Sequence, residues 1–132
     1  MDRAFAVGKD LDMKFNDLNY ASEIANRYLN FSLSSGTTTV ASYCTIHPES
    51  VNAFFEAAAA YNMCVVAGKT CMDRNAPEGL CDTTKSAYDD SKALLKAWHK
   101  KGRAHYAITP RFSPTSTPDQ LSALGALWAE YP

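Results

Sequence analysis

Three times along the chain a short, unbroken apolar run gives way to a segment with helical periodicity. This alternation restricts the fold more than any other feature of the sequence. The runs are TTTVASYC (37–44), MCVVAGKT (63–70) and AHYAIT (104–109). They are short, rich in β-branched or aromatic residues and without polar alternation, which predicts strands buried on both faces. Strands of this kind alternating with helices predict an α/β fold of parallel βα units. Right-handed crossovers then leave an open doubly wound sheet, flavodoxin-like in its simplest form, or a piece of a (β/α)8 barrel of the TIM type. A complete barrel needs about 250 residues, so on that reading 132 residues are a segment.

The helices are read from their apolar spacing and their stops. From Asn19, Ile24, Tyr28 and Phe31 recur at helical spacing and Gly36 provides a C-terminal stop. After Pro48, the residues Val51, Phe54, Phe55, Ala58 and Tyr61 form one stripe. Leu94, Leu95 and Trp98 form the next, ended by Gly102. Thr117, with Gln120 three residues on and Pro118 between, has the signature of a capping box, followed by Leu121, Leu124, Trp128 and Tyr131. Residues 1–18 show no clean period and are read as an irregular lead-in to a barrel segment over residues 19–132.

Charge excludes several classes of function. Thirteen basic and fourteen acidic residues, spread along the chain, leave a net charge of −1, so nothing favours nucleic acid or an anionic membrane. No apolar run approaches the roughly 20 residues of a membrane span, and the opening residues are too charged for a signal peptide. A cytoplasmic location is the expectation. Cys44, Cys64, Cys71 and Cys81 form no C-x-x-C pair and have no histidine at metal-motif spacing, so they read as reduced and non-catalytic.

In either architecture ligands bind beyond the carboxyl ends of the strands. That rule selects Thr45 to His47, the long polar loop Met72 to Asp82, and the pair Arg111 and Phe112. A guanidinium offers a planar fork of donors and a phenyl ring a stacking face, a combination that suits a purine edge. The other reading of the pair is a salt bridge from Arg111 to Asp73 or another loop acid, with Phe112 as core. His47, just before Pro48, either caps a helix or faces the site. His99 belongs to a helix C-terminus, and His105 opens the third strand at the end away from the site. Lys69, inside an apolar strand, calls for an interior ion pair. G-x-G-x-x-G, P-loop, G-x-S-x-G and H-E-x-x-H motifs are absent, and no set of residues has zinc spacing.

The blocks SSGTTTV, CTIHPESV, VAGKTCMDRNAPEGLCDT, SKALLKAWH and YAITPRFSPTSTPDQL resemble consecutive blocks of guanine deaminase, a family of zinc aminohydrolases in the amidohydrolase superfamily. The resemblance runs from about Asn19 to Pro132 and implies the second to fourth strands of a (β/α)8 barrel. It implies hydrolytic deamination of guanine to xanthine and ammonia, a step of purine catabolism, with zinc activating a water and a carboxylic acid shuttling its proton. It places Arg111 and Phe112 in the guanine pocket, and implies a homodimer for the family. The family's metal ligands and proton-shuttling acid fall outside these residues, so the segment holds no catalytic or metal residue. The chain alone is expected to be inactive and, with sheet edges exposed, to self-associate. The alternative is a non-catalytic purine-binding or interaction domain.

Overall fold

The computed structural model describes residues 10–131. Among them run helix α1 (Leu18–Ser34), strand β1 (Thr39–Tyr43), helix α2 (Pro48–Ala60), strands β2 (Cys64–Gly68) and β3 (Thr70–Cys71), helix α3 (Thr84–Trp98), strands β4 (Ala104–Tyr106) and β5 (Thr109–Pro110), and helix α4 (Pro118–Glu130). All strand pairings are parallel. β2 lies between β1 and β4, with Val40 opposite Val65 and Val65 opposite Ala104. β3 pairs with β5, Thr70 opposite Thr109.

The second and third expected strands are therefore each broken in two, and the breaks face each other. At the break the Ala107 carbonyl oxygen lies only 1.9 Å from where a Cβ on Gly68 would stand, so only glycine lets the two backbones meet. Thr109 Oγ1 closes the gap by donating to the Lys69 carbonyl at 2.7 Å. Beyond the break the chain resumes ladder geometry as β3 and β5, which deliver Met72 and Arg111 to one edge.

The main core lies between sheet and helices. Val40, Val65, Ala67, Ala104 and Tyr106 meet Phe54, Phe55, Leu94 and Leu95 there. Phe55 stacks on Trp98 at 5.5 Å, and the Trp98 indole N–H donates to Asn52. The α2 and α3 stripes are those expected. The strands are not buried on both faces, however: Ala41, Val66 and His105, side by side in register, are exposed. Helices cover only one face among the described residues.

Two other helix faces differ from expectation. In α1 the buried positions are Ala21, Ala25, Leu29 and Ser32, whereas Phe31 is 74% exposed. Small side chains allow close approach of α1 to α2; Tyr28 keeps a tilted contact with Phe54 at 6.1 Å, whereas Phe31 faces solvent. In α4 the buried face is Gln120, Leu124 and Leu127, with Leu121 and Trp128 exposed. Gly36 and Gly102 do adopt the positive φ expected of helix stops.

Of the lead-in, residues 1–9 lie outside the described residues. Residues 10–13 are helical, and Lys14–Asn16 form a 3-10 turn. Asp17 then caps α1 by accepting from the Asn19 and Tyr20 amides.

Candidate functional site

Parallel pairing brings the carboxyl ends of β1, β3 and β5 to one edge of the sheet. A cavity of about 210 Å³ opens there, walled by Thr45, Ile46, Thr70, Met72, Arg111 and, from the helical turn at residues 10–13, Asp12. A mainly apolar cavity of about 190 Å³ between α1 and β1, walled by Phe15, Tyr28 and Phe54, has no charged side chain in its lining. Of these two cavities, the first is the one with charged groups in its wall, Asp12 and Arg111. Its volume falls below the roughly 300–1,000 Å³ of complete small-molecule sites.

The Arg111 amide donates to the Cys71 carbonyl at 3.0 Å, which fixes the start of its side chain at the cavity rim. The guanidinium rests over the Phe112 ring at 5.5 Å from its centroid, and one Nη lies 3.5 Å from the Met72 sulfur. The ring of Phe112 is 50% exposed, so it is not core. Nor does Arg111 pair with Asp73, because both carboxylate oxygens of Asp73 are engaged by Thr117, from its amide at 2.8 Å and its hydroxyl at 2.5 Å. Among the described residues no carboxylate lies within ion-pair distance of Arg111. The capping box expected at Thr117 is half formed. Thr117 accepts from the Gln120 amide, but Asp73, not the Gln120 side chain, receives the Thr117 amide.

His47 occupies the N-cap of α2 without a side-chain capping bond. Ser50 instead braces the corner before the helix, its hydroxyl donating to the His47 carbonyl and accepting from the Thr45 amide. The imidazole Nε2 is buried with no partner among the described residues. Burial pulls its pKa down, against the opposing pull of Glu49, which favours the neutral ring at physiological pH.

Asp12 is the wall residue that sequence reasoning missed, since nothing in the aperiodic lead-in singles it out. Burial raises its carboxyl above the ordinary value, while Arg111 and His47 hold it down. Behind the cavity Lys69, 1% exposed, donates to both oxygens of Asp82 at 2.7 Å, which is the interior ion pair the sequence called for. Burial raises the Asp82 carboxyl even against that cation.

The four cysteines are free thiols. Burial pushes Cys44 up to about 12 and raises Cys71 as well, so neither supplies a thiolate at neutral pH. A metal does not fit the residues in hand. Among the described residues no three His, Cys, Asp or Glu side chains come together in a way that could hold one. His99 and His105 face each other at 6.1 Å, away from the site edge, with no third donor.

Residues 4–131 match the amidohydrolase family. Guanine deaminase of Escherichia coli (strain K12) is 50% identical over 121 residues, which are 92% of this chain and 28% of that protein. A probable guanine deaminase of Deinococcus radiodurans is 38% identical over 92% of this chain and 28% of its own length. The solved structure of the E. coli guanine deaminase superposes with a TM-score of 0.90. That of guanine deaminase from C. acetobutylicum, with guanine bound in its active site, superposes with a TM-score of 0.89 at 26% identity, over 98% of this chain and 30% of that one. The chain thus spans between a quarter and a third of the length of these relatives.

Proposed function

On the premise that this chain belongs to the amidohydrolase family, we propose that it is the part of a guanine deaminase (β/α)8 barrel that grips the guanine ring. In this reading residues 19–132 form the barrel segment and residues 1–18 its lead-in. Arg111 presents two parallel donors to the acceptor edge of the purine, and Phe112 supplies the stacking face. The observation that carries the reading is an Arg111 side chain with no acid partner among the described residues. It stands at the rim of the strand-end cavity beside a half-exposed phenyl ring.

The reaction is hydrolysis of guanine to xanthine and ammonia, a step of purine catabolism. Zinc, proposed on the resemblance, would activate the water. The described residues do not fit a metal. This segment contributes ring binding and orientation. Guanine as substrate, a cytoplasmic setting and a homodimer of the longer enzyme belong to the same proposal. No helix among the described residues is long and apolar enough to cross a membrane.

Titration of the 132-residue chain with guanine tests the reading. We expect saturable binding without ammonia release, and binding weakened about 10- to 100-fold by Arg111→Ala. Unchanged affinity in the variant would remove Arg111 from the pocket, and chelator-sensitive ammonia release by this chain would overturn its expected inactivity.

The open sheet face and outer edges support self-association. Tyr43 is 67% and Val66 36% exposed on the strands, and unpaired strand edges recruit other strands. Sedimentation is expected to show concentration-dependent oligomers, and a single monomeric species throughout would count against this.

A further inference from the structure

We propose that Asp73, Arg74 and Asn75, on the loop that follows β3, are positioning residues for the corner that carries Arg111 and Phe112. All three reach across to the segment that follows Phe112. Asp73 accepts from the amide and hydroxyl of Thr117, at 2.8 and 2.5 Å. The Arg74 guanidinium donates to the Ser113 carbonyl at 2.7 Å, and the Asn75 amide to the Pro114 carbonyl at 2.6 Å. The Asp73 and Arg74 backbone amides both donate to the Thr115 carbonyl, at 3.0 and 3.3 Å. Asn75 reaches its partner from φ 54°, a left-handed conformation that asparagine tolerates better than most residues.

The other end of the corner is held by the Arg111 amide on the Cys71 carbonyl. The turn 111–117 is therefore fixed on both sides by the strand-and-loop segment 71–75. In this turn Phe112 is half-exposed and the buried residues, Thr115 and Ser116, are polar. Polar side chains on the neighbouring loop define its position. Asp73 acts twice, because the Thr117 hydroxyl it accepts from also receives the Gln120 amide at the start of α4. The loop thereby ties the position of Arg111 and Phe112 to the first turn of the following helix.

For its ligand this inference rests on the guanine reading, but the experiment separates the two. In the free chain, Asp73→Ala is expected to speed amide hydrogen exchange at Arg74, Thr117 and Gln120 by about tenfold or more, with the amides of Val65 and Ala67 unchanged. Uniform acceleration everywhere, or none at Thr117, would overturn the positioning role. In guanine titrations Asp73→Ala is expected to weaken binding about tenfold. Asp73→Asn, which keeps an acceptor for the Thr117 amide, should recover most of that loss. Failure of the asparagine variant to recover affinity would likewise overturn it. If the unsubstituted chain does not bind guanine at all, the functional reading fails, and the exchange measurement still decides the positioning role.

Discussion

Lys69→Met is expected to lower the unfolding free energy of the chain by about 3–5 kcal/mol, the usual loss when one partner of a buried ion pair is removed. The Asp82 side chain is only 7% exposed and both its oxygens bond to Lys69. Without the cation a carboxylate would stand desolvated and unpaired. Burial already raises the Asp82 carboxyl above its unfolded value of 3.8 while Lys69 opposes it, so removing Lys69 raises it further. A group with a raised folded pKa stabilises the fold in its protonated form and loses that contribution as pH rises through the folded value. The deficit of Lys69→Met should therefore narrow as pH falls from neutral through the folded pKa of Asp82. Urea unfolding across that range measures it, and a pH-independent deficit under about 1 kcal/mol would refute the account. The double replacement Lys69→Met/Asp82→Leu should recover most of the loss, since an apolar pair leaves no charge buried. Such recovery would show that the pair contributes geometry, by pinning the end of the loop to the β2 and β3 junction, more than net stability.

Gly68→Ala is expected to cost about 3 kcal/mol or more, at the upper end of overpacking effects. The added methyl would meet the Ala107 carbonyl oxygen at 1.9 Å and Thr109 Oγ1 at 2.8 Å. The first of these is backbone and cannot swing aside. The Ala107 amide also donates to the Ala67 carbonyl at 2.8 Å, so relief requires parting β2 from the chain that continues β4. Gly125→Ala serves as the control. That position lies within α4, has nothing within 4 Å of the added carbon, and should gain about 0.5–1 kcal/mol. Equal thermal midpoints for the two variants would refute the close-approach argument.

The alternation of strands and helices was legible because burial imposes different periods on the two, and the β-branched runs and helix stops are local signals. The strand-end rule likewise puts Arg111 and the loop at 72–82 beyond the carboxyl ends of the strands, which is where they stand around the cavity. Helix faces were harder. Phe31, Leu121 and Trp128 are larger and more apolar than Ala21, Ser32 and Gln120, yet the smaller or polar set is buried. Hydropathy ranks side chains, whereas close helix approach selects for size. Opposite charges on neighbouring loops invite a pairing of Asp73 with Arg111. The Asp73 carboxylate went to a helix N-terminus 44 residues away in sequence, a choice that depends on turn geometry no local pattern records. Asp12 gave no signal at all, since an aperiodic segment marks neither its face nor its neighbour.

The paired break in the strands has one more implication. β1, β2 and β4 form a three-stranded base, while β3 and β5 form a separate two-stranded ladder above it. Thr70 ties that upper ladder back to the base through the Thr45 and Cys44 carbonyls. The molecule is thus built in two storeys with a seam at Gly68 and Ala107. The register of the strands below is set by their own pairings, Val40 with Val65 and Val65 with Ala104, so exchange of side chains on the upper storey is expected to leave it unchanged. The seam thus separates the ladder that carries the site residues Met72 and Arg111 at its end from the ladder that sets the strand register.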